Sequence, residues 1–178
     1  MQAQQMGEVL VIGSSMLSRI RKKEFSEHVQ NGEARFKVFP GATVDKINYY
    51  LLPELKEFRY KKVVIHCGTN DLFYRTAEEI VDSMGEIFKT CMDYGVETVI
   101  ISSIVIRRCR NNIEEKRLTV NSLLKTKCET VGEGGVKAYF VDNGNILYED
   151  LYTDGLHLVE SGTVKLANNI LVSVNNNY

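Results

Sequence analysis

Val9-Leu10-Val11-Ile12-Gly13 is a continuous apolar run, mostly β-branched and closed by glycine. A run this short reads as a strand buried on both faces, as in the middle of a parallel sheet. Four more runs follow: 36–39 before Pro40-Gly41, 63–65 before Cys67-Gly68, 99–101, and 138–141. Amphipathic segments separate them. Thr76 with Glu79 forms a capping-box pair, and Ile80, Met84, Ile87, Phe88 and Cys91 then recur at helical spacing until Gly95. Asn112 with Glu115 offers a second cap, ahead of Val120, Leu123, Leu124, Cys128 and Val131 before Gly132. Val164, Ala167, Ile170, Leu171 and Val174 line a last helix, and Val44, Ile47 and Leu51 a shorter one.

Five strands, each followed by a helix, predict an α/β fold. It is a three-layer α/β/α sandwich on a five-stranded parallel sheet with right-handed crossovers. No repeat or linker interrupts it. The expectation is one domain over 7–178, with 1–6 as a linker or appended remnant.

The 178 residues are 44% hydrophobic and 25% charged, which excludes wholesale disorder. Twenty-two basic residues against 23 acidic ones leave a net charge of −1 and argue against an obligate nucleic-acid binder. No apolar stretch reaches the roughly 18 residues of a membrane span. Cys67, Cys91, Cys109 and Cys128 are scattered, with no CxxC pair, as expected of reduced thiols rather than a disulfide framework or zinc site. The polar start Met1-Gln2-Ala3-Gln4-Gln5 lacks the layout of a signal peptide. These features predict an intracellular, cytoplasmic chain without metal or cofactor.

In such sheets the segments after the strands gather on one edge, where ligands bind. That edge collects Gly13-Ser14-Ser15, Pro40-Gly41-Ala42, Gly68-Thr69-Asn70-Asp71, Arg107-Arg108-Cys109-Arg110, and Asp154 with His157. A hydroxyl nucleophile needs a base, and the base needs a partner to hold its tautomer. Of three histidines, His28 sits in a charged, solvated stretch and His66 within a strand. His157 has Asp154 three residues earlier, a spacing that can turn both side chains together. Read alone, the pair is better explained by an aspartate making a turn and a histidine packing near a helix start.

Ser15 or Ser14 supplies a hydroxyl at a strand-to-helix junction, although serine is also a common cap. Gly41 can present an amide, and Asn70 a carboxamide, to a developing oxyanion. The plainer reading of 68–71 is a turn. The conjunction on one rim carries more weight than any member.

The order Gly-x-Ser, Gly, Gly-x-Asn-Asp, Asp-x-x-His resembles the SGNH (GDSL-like) hydrolase superfamily. The blocks are Ile12-Gly13-Ser14-Ser15-Met16, Pro40-Gly41-Ala42, Gly68-Thr69-Asn70-Asp71 and Asp154-Gly155-Leu156-His157, spanning nearly the whole chain. The resemblance implies a flavodoxin-like sandwich and a metal-free serine esterase. It makes Ser15 the nucleophile, His157 the base and Asp154 its orienting carboxylate. The Ser15 amide, the Gly41 amide and the Asn70 side chain would form the oxyanion hole. The opening stretch and size resemble platelet-activating-factor acetylhydrolase-type esterases. The blocks Pro40-Gly41-Ala42-Thr43-Val44, 64–71 and 154–158 most resemble the esterase domain in first-reading-frame proteins of LINE-type (non-LTR) retrotransposons. The acetylhydrolase likeness implies a short-chain acyl substrate, and the retrotransposon likeness a larger RNA-packaging parent protein.

One departure stands out: the family's usual aspartate before the nucleophile is Ser14 here, which puts the loop geometry in question. An alternative is therefore a catalytically impaired module for anionic lipid binding or particle assembly. Arg107, Arg108 and Arg110 on the rim could meet anionic phospholipid head groups. Balanced charge favours the plainer view that they, and the cluster Arg19, Arg21, Lys22 and Lys23, are solvated faces. No aromatic-basic interleaving points to direct nucleic-acid binding by this domain.

Overall fold

In the computed structural model, residues 6–30, 32–109, 112–131 and 135–176 are described. The strands are β1 (Met6–Gly13), β2 (Ala34–Val38), β3 (Arg59–His66), β4 (Thr98–Ser102) and β5 (Lys137–Val141). All pair in parallel, in the order β2-β1-β3-β4-β5. The helices are α1 (Lys22–Glu27), α2 (Val44–Glu57), α3 (Ala77–Asp93), α4 (Ile113–Val131) and α5 (Glu160–Asn175). The expected α/β sandwich is the observed one. Met6, placed with the linker by sequence, already pairs with Arg59 in the sheet; residues 1–5 lie outside the described residues.

Alternation along the central strands builds two cores, because successive side chains leave a strand on opposite faces. Leu10, Ile12, Val63, Ile65, Val99 and Ile101 pack with α2, α3 and α4. Val9, Val11, Val64 and Ile100 pack on the other face with Phe25 of α1 and Leu166, Ile170 and Val174 of α5. The end strands differ from the reading of strands buried on both faces: β2 is half-buried throughout and β5 is buried only at Val141, since each lies at an edge.

The helices follow their punctuation. The Thr76 hydroxyl accepts the Glu79 amide while Glu79 reaches back to the Thr76 amide, closing the capping box of α3. Helix α4 begins immediately after Asn112. One reading needs correction. Val164 is half-exposed and belongs to the outer side of α5, whose buried stripe runs through Leu166, Ile170 and Val174 instead. A single-turn 3-10 helix (Ser15–Leu17) and the short α1 follow β1, and a further 3-10 turn spans Tyr148–Asp150.

Register aligns the carboxyl ends. Gly13 stands beside Val38 and His66, and Ser102 beside Val141. The segments that follow therefore open onto one edge. Among the described residues no helix is long and apolar enough to cross a membrane, and no three His, Cys, Asp or Glu side chains cluster as metal ligands would.

Candidate active site

Glycine is required where β1 ends. A Cβ on Gly13 would run into the His66 carbonyl of the neighbouring strand. The same carbonyl accepts the Ser14 amide at 3.0 Å, so the chain turns there. The two serines then part. Ser14 is fully buried, whereas Ser15 is half-buried at the start of the 3-10 turn and is the accessible hydroxyl. Among the described residues Ser14 Oγ has no hydrogen-bond partner, an orphan polar atom at the position where sequence marked a departure.

Asp154 and His157 are brought together as the spacing predicts. His157 Nδ1 lies 2.7 Å from Asp154 Oδ2, and Asp154 Oδ1 accepts the amides of Leu156 and His157, each at 2.9 Å. The bond from His157, with those two amides, holds the Asp154 carboxyl down at about 2. An ionised carboxylate only accepts, so Nδ1 must carry the proton. In the neutral ring, a proton on Nδ1 leaves Nε2 with a lone pair, the tautomer a general base needs. Both side chains are close to half-exposed, 40% for His157 and 48% for Asp154, so a substrate can reach them. The Ser15 hydroxyl shares their edge but is not hydrogen-bonded to His157 or to any other described residue.

The turn bearing them is held on two sides. Gly155, at φ +66°, accepts the Arg108 amide at 2.8 Å, and a Cβ there would stand 2.6 Å from Arg108 Cβ. Tyr152 donates its amide to the His157 carbonyl at 2.8 Å. The Arg19 guanidinium, four residues after Ser15, lies 4.5 Å above the Tyr152 ring. This contact links the segment of Ser15 to that of His157.

Gly41 and Asn70 also meet. Asn70 Nδ2 donates to the Ala42 carbonyl at 3.0 Å, which places the carboxamide beside Gly41. A carboxamide has two N–H groups, and this bond uses one. Gly41 is exposed at φ +75°, with open space where a Cβ would be, and its amide makes no backbone bond. Asp71 holds the two loops together from below. Its fully buried carboxylate accepts the Val44 amide at the start of α2 and the Arg75 guanidinium. Burial raises the Asp71 carboxyl, while the Val44 amide and Arg75 oppose the rise. Sequence reading placed Asp71 in the block but missed this strut, which only the fold reveals.

The rim arginines take separate roles. Arg107 donates to the Thr69 carbonyl at 3.3 Å and covers the Phe73 ring at 4.4 Å. Arg108 is exposed, 5.7 Å from the Tyr148 ring. Arg110 lies outside the described residues.

The remaining candidates stay in structural roles. His28 is exposed, with Nδ1 donating to the Glu24 carbonyl. His66 is buried against Ser102 Oγ at 2.9 Å, and desolvation lowers it to about 4. The Cys67 thiol is buried and pushed far up, which removes it as a nucleophile.

No protein-family model and no curated protein matches the sequence. Solved structures do match the fold. A mutant acetyl esterase holding an acetate ion aligns at TM-score 0.79 and 14% identity, over 94% of this chain and 96% of its own. A carbohydrate esterase family 3 protein from Talaromyces cellulolyticus aligns at TM-score 0.79 and 15% identity, over the same shares of both chains. A GDSL-like lipase from Bacteroides thetaiotaomicron aligns at TM-score 0.75 and 16% identity, over 97% of this chain and 91% of its own. The sandwich carrying these loops is therefore the fold of SGNH/GDSL-like hydrolase structures.

Proposed function

We propose that this chain is a serine ester hydrolase acting on short acyl esters, acetyl esters foremost. The observation that carries the reading is the Asp154–His157 contact. It fixes the proton on Nδ1 and leaves Nε2 as a base on the edge that also bears Ser15.

Ser15 Oγ attacks the ester carbonyl carbon as His157 Nε2 takes its proton. The tetrahedral oxyanion is held by the Ser15 and Gly41 amides and the second N–H of Asn70. Its collapse breaks the ester C–O bond, and His157 returns the proton to the departing alkoxide. Water, deprotonated by the same nitrogen, then attacks the acyl-Ser15 carbonyl; the acyl–Oγ bond breaks, the acid leaves, and His157 returns the proton to Ser15 Oγ. Asp154 stays ionised throughout and balances the imidazolium. No step calls for a metal.

The sequence blocks at 40–44, 64–71 and 154–158 extend the reading. Their resemblance to retrotransposon esterase domains supports a module of an RNA-packaging protein, acting on a small or lipid-linked ester. Arg108, exposed at the rim, would then face anionic head groups of a membrane.

The test is hydrolysis of p-nitrophenyl esters of increasing acyl length by wild type and Ser15→Ala. Turnover that falls with chain length and vanishes in Ser15→Ala is expected. Asn70→Ala should lose on the order of 10²–10³ in kcat. Equal turnover by wild type and Ser15→Ala would overturn the assignment. A folded wild type inert on every ester would leave the binding module.

A further inference from the structure

A cavity of about 380 Å³ lies between α1 and α5, to one side of the catalytic edge. That size falls within the range of small-ligand pockets. Its apolar lining is Ile20, Phe25, Val164, Ala167 and Leu171. Val164 is 49% exposed, an apolar side chain that the sheet core does not use. Thr163, in the same lining, is only 8% exposed, and its hydroxyl has no hydrogen-bond partner among the described residues. A buried hydroxyl without a partner is unfavourable.

The charged residues of the lining are not equivalent. Arg21 is shared by Glu24 and Glu160, at 3.6 and 2.8 Å, so both carboxylates already have a cation. Arg19 has no carboxylate partner among the described residues; its guanidinium rests on the Tyr152 ring. The unmet charge of this cavity is therefore one positive fork beside an apolar floor.

We infer that the cavity binds a single-chain carboxylate amphiphile, with its alkyl tail on the α1–α5 floor and its carboxylate on Arg19. Arginine presents paired N–H donors that match a carboxylate, and the Tyr152 ring, 4.5 Å from the Arg19 guanidinium carbon, anchors the group at the cavity. The inference stands on this cavity alone and is independent of the ester hydrolase reading.

Calorimetric titration with sodium decanoate, below its micelle concentration, tests it against decanol and decyltrimethylammonium. Wild type should bind decanoate saturably, one per chain. Arg19→Gln should weaken decanoate roughly tenfold while leaving decanol unchanged. Ala167→Phe fills the floor and should abolish binding; Val164→Trp, at an exposed position, serves if Ala167→Phe does not fold. Circular dichroism melts confirm folding of each variant. Absent binding, or decanoate binding untouched by both filling variants, would overturn the inference. So would decyltrimethylammonium binding as tightly as decanoate. Loss of self-association on filling the floor, read by sedimentation velocity, would make a second copy the occupant and overturn it too.

Discussion

Asp154 grips His157 twice, through a 2.7 Å contact to the ring and through the His157 amide, which donates to the carboxylate's other oxygen. The ring is thereby fixed in both tautomer and position. Asp154→Asn can present an N–H where the carboxylate oxygen stood, which favours the proton on Nε2 and removes the base. The expected loss in kcat is roughly 10³–10⁴ with the fold intact. Ester hydrolysis with a matched circular dichroism melt checks it, and a loss under tenfold would discard the orienting role.

Buried His66 makes the fold acid-sensitive in a defined window. Its value is lowered to about 4 by desolvation, against about 6.5 in the unfolded chain. Between these values the unfolded state binds more protons, so stability is full above pH 6.5 and falls as pH drops towards 4. The linked loss is of the order of 3 kcal/mol. Urea midpoints from pH 7 to 4 should fall steeply in wild type and more gently in His66→Gln. Parallel slopes would show that other groups set the acid limit.

Ser14 carries a hydroxyl that the interior does not use. Ser14→Ala removes an unsatisfied buried group, so stability should be unchanged or rise by up to about 1 kcal/mol. Ser14→Asp instead brings a charge into a fully buried position. Unless a donor turns to meet it, it should lower the urea midpoint markedly. A Ser14→Ala variant much less stable than wild type would mean that the hydroxyl has a partner in solution.

Gly155 occupies a place where both conformation and space exclude a side chain. At φ +66°, with a Cβ only 2.6 Å from Arg108 Cβ, alanine must displace the turn that carries His157. Gly155→Ala should cost about 1–2 kcal/mol and reduce kcat more than that destabilisation explains. Thermal melts alongside ester turnover separate the two effects. Wild-type activity in this variant would show that the turn tolerates movement.

How much of this was legible in the sequence depended on range. The central strands announced themselves because burial on both faces leaves only apolar residues, as at 9–12 and 63–65. The edge strand β2 is half-polar, so its run at 36–39 only partly matched Ala34–Val38. Helix α1 was missed because six residues with one buried side chain, Phe25, show no periodicity. The Asp154–His157 contact was readable because three residues of spacing bring the two side chains together in a turn. The Asn70–Ala42 and Arg19–Tyr152 contacts were not, since only the folded sheet makes those residues neighbours. Asp71 read as part of a turn, and its link to the Val44 amide gave no local signal.

The sheet order carries a consequence for how the chain comes into being. Ser15, Gly41 and Asn70 follow the three adjoining strands β1, β2 and β3, all made early, whereas Asp154 and His157 follow the last strand, β5. During synthesis, the hydroxyl and oxyanion donors leave the ribosome well before the base does. On the mechanism proposed above, a nascent chain would lack its base until the segment after β5 emerges, and the arrival of His157 would act as a timer that arms the site.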